Sequence, residues 1–437
     1  MTKVAVTGTT HCGKTMFLTS LLWQLEEFDE TRFRLREGVM LRGFHPARVH
    51  KGEDAFPFKR FRNMLAQEYR WPEKTRDVYH YRCAFHRSDR WRIRGPQSLD
   101  FLDLPGERIA DAAMVVHEDY GAWSDDLLDH LGQDPVGREV AAEFRDTAKP
   151  GAGARDVVLA YRLALARLIR AWKPLVSPSV FLLDRAGTLA RDVDEAELVA
   201  SRRCGLDDAR EFAPLPREVR KATPELSGEM RRHYREYRKK IVLPLFRDLM
   251  TASSLVVLVD IPSLLLAGDR RFVDERQVTL DLLGAMRGGA LGDRILRALG
   301  LRNSLKRVAF VAAKADLVSP DDLRNGRLLA LLKSMNARAA QRLSPAVEVK
   351  WFVCSACVST QPGSAPHTLI GQTQPGPYTR DRQAAEFCVS PLPEEWPRSW
   401  KGGDFEYPSF WPRVPENTMI PPRHRNLDAV FDFTALG

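Results

Sequence analysis

The chain has 437 residues, 44% hydrophobic and 28% charged, with 66 Lys and Arg against 57 Asp and Glu for a net charge of +9. That apolar content suffices for two or three domain cores and excludes a disordered chain, and six scattered cysteines exclude a disulfide scaffold. No apolar run approaches the ~18 residues of a membrane span, and the short VAVTG run after Met1-Thr2-Lys3 is no signal peptide, so the expected compartment is the cytoplasm. The basic excess points to anionic partners. Neither zinc-finger spacing nor an aromatic RNA-binding motif occurs, so no sequence-specific nucleic acid is expected.

Residues 3–22 read KVAVTGTTHCGKTMFLTSLL. Val4, Ala5 and Val6 predict a short buried strand, and Phe17, Leu18, Leu21, Leu22 and Leu25 recur at helical spacing. Between them Gly8-Thr9-Thr10-His11-Cys12-Gly13-Lys14-Thr15 fits G-x-x-x-x-G-K-[ST], in the strand–loop–helix context the motif needs. Glycines let the loop wrap so that its N–H groups point at phosphate oxygens, and the helix N-terminus adds a favourable dipole end. Lys14 is expected to reach the β- and γ-phosphates, and the Thr15 hydroxyl to coordinate Mg²⁺. His11 and Cys12 occupy free positions of the loop and read as fillers.

Thr75, in WPEKTRDVYHY, stands where a second hydroxyl would complete the Mg²⁺ shell; the alternative is a turn threonine after Pro72. The segment YHYRCAFHRSDRWRIRG followed by SLDFLDLPGER predicts a hairpin turning around Ser88-Asp89, its second strand ending at Asp103. Asp103 is then the second metal carboxylate, and Gly106 the donor to the γ-phosphate. A rival D-x-x-G, Asp184 to Gly187, lacks the preceding hairpin. Glu107 either orients the attacking water, or caps the following helix or pairs with Arg108.

From 108 to 250 the pattern is helical and reads as an insertion. Its basic run, Arg231 to Lys240, is either a solvated helix face or a patch for anionic lipid or an acidic partner. Strands return in SSLVVLVD (253–260) and RVAFVAA (307–313), the latter followed by Lys314-Ala315-Asp316. A strand ending in K-x-D is a guanine-recognition pattern: the aspartate accepts from N1–H and the amine, and the lysine stem packs on the base. Ala313 stands where Asn or Thr is usual. VEVKWFVCSACV then delivers Ser355-Ala356, whose backbone N–H groups are expected to touch the guanine carbonyl. Cys354 and Cys357 flank it as one C-x-x-C without a second, which argues against structural zinc. From about residue 361 the chain is rich in Pro and Trp, which predicts an extended segment lying across the domain and closing in a short helix at 426–433.

Taken together, VAVTGTTHCGKTMFLTSL, WPEKT, LDFLDLPGERI, LVDIPSLLLAG, FVAAKADLV and PPRHRNLDAVFDF resemble the YcjX-like family of bacterial P-loop proteins over nearly the whole chain. The resemblance implies a cytoplasmic, stress-associated GTPase of the translation-factor-like class, with an integral membrane protein as partner. Carried onto this sequence it covers Gly8 to Thr15, Thr75, Asp103, Gly106, Lys314 and Asp316. The expected fold is α/β: a mostly parallel P-loop sheet with helices on both faces, built from 1–107 and 251–360, with the helical insertion 108–250 and the tail 361–437. The expected activity is Mg²⁺-dependent hydrolysis of GTP to GDP and phosphate. A P-loop ATPase or kinase with relaxed base choice, and a nucleotide-holding scaffold, stand as alternatives.

Overall fold

The apolar runs expected as strands all enter one sheet. The computed structural model describes residues 1–9, 11–73, 78–89, 92–117, 119–133, 135–172, 211–286, 304–374, 384–415 and 417–437. The chain forms two compact units: 1–106, 249–269 and 300–437 make the first, and 107–248 with 270–299 the second.

In the first unit, strands β1 (Thr2–Gly8), β2 (Val39–Ala47), β3 (Asp54–Ala55), β4 (Tyr79–Asp89), β5 (Arg92–Asp103), β6 (Ser254–Val259), β7 (Arg307–Ala312) and β8 (Glu348–Val353) form one sheet. Its order is β2-β4-β5-β1-β6-β7-β8, with β3 beside β4. From β5 to β8 all neighbours are parallel; the β2–β4 and β4–β5 pairs are antiparallel. β6 is buried at every position, as its unbroken SLVVLV run requires of a strand covered on both faces. Helix α1 (Lys14–Glu26) is buried from Lys14 to Leu25, so it lies inside the unit. Helix α2 (Phe58–Ala66) buries Phe58, Phe61, Met64 and Leu65 at helical spacing.

The end of the chain closes this core. The helix Leu427–Phe431 continues as a wider turn, Asp432–Leu436. Leu427, Val430, Phe431, Phe433 and Leu436 share one cluster with Val4, Val6, Phe17 and Phe101. Ser254 Oγ donates to Thr434 O at 2.6 Å, and Arg36 and Arg87 both donate to Leu436 O at 2.7 Å. Ahead of it the Pro-rich segment carries a small antiparallel sheet of β9 (Gln361–Pro362), β10 (Thr368–Gly371) and β11 (Ala385–Cys388), in the order β11-β10-β9. Proline spacing alone does not reveal these short strands.

The second unit is helical in its described parts. Tyr120, Trp123, Phe212, Tyr234 and Tyr237 form its aromatic centre, with ring centroids 5.1–5.9 Å apart. Each tyrosine hydroxyl has an acceptor: Ala213 O, His117 O and Asp111 Oδ2 for Tyr120, Tyr234 and Tyr237. In the helix Pro224–Tyr237 and the turn Arg238–Val242, Arg231, Arg232, Arg235, Lys239 and Lys240 are exposed while His233, Tyr234 and Tyr237 are buried. Residues 270–286 group with this unit, where the sequence pattern places them in the 251–360 segment. Buried Asp274 explains it: its carboxylate pairs with His130 at 2.9 Å and Arg270 at 3.4 Å, inside the same unit.

Candidate functional site

Parallel register sets the carboxyl ends of the central strands along one edge, where open α/β sheets bind ligands. Val6 of β1 lies opposite Asp103 of β5, and Gly8 opposite Leu258 of β6. Beyond β6 comes Asp260, beyond β7 Ala313 and Lys314, and beyond β8 Cys354 and Ser355. Along this edge opens a cavity of about 480 Å³, bounded by both the phosphate-type loop and the K-x-D segment.

At the loop, Gly8 has φ +143°, and a Cβ there would sit 2.4 Å from Leu258 O and 2.6 Å from Cys12 Sγ. Glycine is therefore obligatory at the point where β1 turns away. Gly13 has φ +92° and starts α1. Lys14 Nζ folds back over the loop and donates to Gly8 O at 2.9 Å and Thr9 O at 2.8 Å. Thr15 Oγ1 donates to Asp103 Oδ2 at 3.5 Å, and both side chains are buried. A hydroxyl and a carboxylate oxygen this close are hard donors of the kind Mg²⁺ takes alongside water and phosphate oxygens, so the pair suits that ion. Gly106 also lines the cavity.

The other end is braced differently from expectation. Lys314 is in the left-handed region, φ 52°, and its Nζ pairs with Asp260 Oδ2 at 2.6 Å. Asp260 is held in turn by Ser263, whose N–H and Oγ donate to it at 3.1 and 2.6 Å. Burial pulls the Lys314 ammonium down, but the Asp260 carboxylate outweighs it and the net shift is upward. Asp316 lines the cavity; its carboxylate accepts from Ser359 N at 2.9 Å, and its own N–H donates to Ser355 Oγ at 2.9 Å. Burial pushes the Asp316 carboxyl above the ordinary carboxylate range, against the donors from Ser359 and Ser355. Ala313 contributes no side-chain bond to the loop, and Asp260, Ser355 and Ser359 supply the bracing instead.

The structure thus brings Cys12, Gly13, Lys14, Thr15, Gly106, Lys314, Asp316, Ala356 and His11 to one cavity, with Asp103 bonded to Thr15. Ser355 has a different position: its N–H donates to Arg425 O at 3.1 Å, so it braces Asp316 and Ala356 is the member of the pair that faces the cavity. Cys354 and Cys357 are buried, which pushes the Cys357 thiol up to about 12 and the Cys354 thiol higher still. Thr10, Thr75, Asp184 and Gly187 lie outside the described residues, as does the side chain of Glu107. Sequence reasoning missed Asp260, Ser359, Trp71 and Phe410. Asp260 carried a usable signal, since it ends an apolar strand as Asp103 does; the other three did not.

No helix among the described residues is long and apolar enough to cross a membrane. A curated protein of Escherichia coli K12, named Ras-like GTPase YcjX, is 24% identical to the chain over 466 aligned residues, covering 99% of this chain and 94% of that protein. The family model described as "YcjX-like family, DUF463" matches residues 2–172 and 206–435. With a match of that extent, running through both ends of the cavity, the chain belongs to the YcjX-like family.

Proposed function

We propose that the chain binds guanine nucleotides in this cavity and hydrolyses GTP to GDP and phosphate. The observation that carries the reading is the convergence on one cavity of Lys14 and Thr15, bonded to Asp103, with Lys314 and Asp316. The E. coli relative's name, Ras-like GTPase, supports the same reading.

In this reading Lys14 exchanges the Gly8 and Thr9 carbonyls for β- and γ-phosphate oxygens, with the N–H groups of residues 9–15 around them. Thr15 and Asp103, joined by Thr75, would hold Mg²⁺, which would supply positive charge against the phosphate oxygens when bound. Gly106 N–H donates to the γ-phosphate, and Glu107 orients the attacking water. Asp316 accepts from N1–H and the amine of guanine; Ala356 N–H donates to its carbonyl. Adenine has no proton at N1 and would leave a carboxylate oxygen facing an acceptor, at a cost of about 2–4 kcal/mol. We further assign the helical 108–250 segment to an insertion in the nucleotide domain. The protein acts as a stress-associated cytoplasmic switch with an integral membrane partner, for which the support is family resemblance.

Ala313 favours a second reading, relaxed base choice. Competition of GTP, ATP and XTP against labelled GDP, together with turnover of GTP, tests both. GTP is expected to win by about thirtyfold or more; equal competition by ATP overturns the guanine assignment, and absent turnover reduces the protein to a nucleotide-holding scaffold.

A further inference from the structure

Part of the cavity wall belongs to neither nucleotide motif. Trp71 comes from the WPE segment, and Gln374, Ser409 and Phe410 from the Pro-rich tail. These residues are tied together. Trp71 Nε1 donates to Phe410 O at 2.8 Å. Gln374 N donates to Ser409 O at 2.8 Å and Trp411 N to Gln372 O at 2.8 Å, closing a bridge between Thr373 and Phe410. Phe410 is 3% exposed, and its ring meets that of Phe387 of β11 edge-on at 5.7 Å. It occupies the space left by Gly371 at the end of β10, where a Cβ would come within 2.6 Å of the ring. The small sheet therefore fixes Phe410, and Phe410 fixes the indole of Trp71.

The tail also marks which end of the cavity this is. Cys357 Sγ donates to Arg413 O at 3.7 Å, two residues before Ser359, whose N–H holds Asp316. The segment carrying Phe410 thus runs beside the loop that braces Asp316, at the base end. Trp71 is half-buried, lines the cavity while packing against the core, and has its N–H already satisfied, so its position is set before any ligand arrives. We propose that the tail forms the nucleoside wall of the site, with Trp71, held by Phe410, as the surface on which the purine base stacks. Stacking is indifferent to base identity, so this wall supplies affinity for any purine while Asp316 chooses among them. The inference rests on nucleotide binding at this cavity, and holds for adenine as well as guanine.

The test measures GDP, ADP and inorganic pyrophosphate binding by calorimetry to the full chain and to the variants Trp71→Ala, Trp71→Phe and Gly371→Ala. Gly371→Ala adds a methyl group where the Phe410 ring lies and adds nothing to the cavity itself. Both alanine variants are expected to bind nucleotide about tenfold more weakly or worse, with pyrophosphate affinity unchanged and most of the loss restored in Trp71→Phe. Unchanged nucleotide affinity in both alanine variants overturns the wall. A parallel loss of pyrophosphate affinity also overturns it, because the residues would then act through the fold and not on the base. If the unaltered protein binds pyrophosphate but no nucleotide, the functional reading fails first and this inference with it. If it binds ADP as tightly as GDP while the variants weaken both, only the guanine assignment fails.

Discussion

Replacing Gly8 by alanine should damage the site more than replacing Gly13, although both glycines have positive φ. At Gly8 the new Cβ lies 2.4 Å from the backbone carbonyl of Leu258 and 2.6 Å from Cys12 Sγ; at Gly13 nothing lies within 4 Å. A φ of +143° or +92° strains an alanine at either position, by about 1–3 kcal/mol. Only at Gly8 must β1 and β6 also move apart, which adds about 1–3 kcal/mol of overpacking. Gly8→Ala is therefore expected to cost about 2–6 kcal/mol and Gly13→Ala about 1–3 kcal/mol. With two units in the chain a single unfolding midpoint is a poor measure. Amide hydrogen exchange in 2–8 and 254–259 reads the effect where it arises. Shifting Gly8 also displaces the start of the loop whose N–H groups are proposed to face the phosphates, so phosphate affinity should fall with it. Equal loss of protection in the two variants, or a greater loss in Gly13→Ala, would refute the role of the β1–β6 contact.

Lys14→Ala removes a cation that makes two charge-assisted bonds, and GDP affinity should drop about a hundredfold by fluorescent-nucleotide titration; an unchanged dissociation constant would move the site elsewhere. Asp103→Ala should weaken Mg²⁺-dependent GTP binding and Asp184→Ala should not, and a Mg²⁺ titration showing the reverse ranking would make the other D-x-x-G the metal carboxylate. Base choice should depend on pH through Asp316. Its carboxylate is the accepting form and burial raises its pKa, so the GTP-over-ATP preference is held above that raised value and lost as pH falls through it, at a pH above the ordinary carboxylate range. Pyrophosphate binding should stay level over the same interval, and a preference that is flat with pH would count against Asp316. Asp260→Asn leaves Lys314 without its counter-charge; because the lysine side chain is 34% exposed, water offsets part of the loss, and about 1 kcal/mol of stability and about fivefold in GDP affinity should go. A silent Asp260→Asn would show that Lys314 is positioned by its backbone alone.

Local pattern was enough to assemble the candidate phosphate end. The loop, its strand and its helix are contiguous, and Asp103 follows from an apolar run that stops at an acid after a hairpin; the strands observed, 79–89 and 92–103, pair antiparallel. The base end was legible only as a weak K-x-D, because its rigidity comes from partners far along the chain: Asp260 for Lys314, and Ser355 and Ser359 for Asp316. No spacing rule links residues 54 or 43 positions apart when each partner is a common residue type. Trp71 and Phe410 are separated by 339 positions, and Phe410 is held by a strand too short to have a recognisable alternation. For 270–286 the helical pattern was clear but its company was not, since membership of a unit is decided by Asp274, His130 and Arg270 and not by periodicity.

The seat of the C-terminal helix sets a timetable for making this protein. Leu427 to Leu436 complete the cluster that contains Val4, Val6 and Phe17, so the hydrophobic floor of the phosphate loop is finished by residues more than four hundred positions downstream. At about 5–20 residues per second, roughly 20 to 85 s of translation separate Gly8 from Leu436. Throughout that interval the part of this core that the C-terminal helix covers must be covered by something else, although α1 already has β1, β2, β5 and α2 beside it. The pairing of the first strand with the last helix is also a long-range closure of the kind that slows folding. A nascent chain stalled before Leu427 would carry an open core and depend on a chaperone until synthesis resumed.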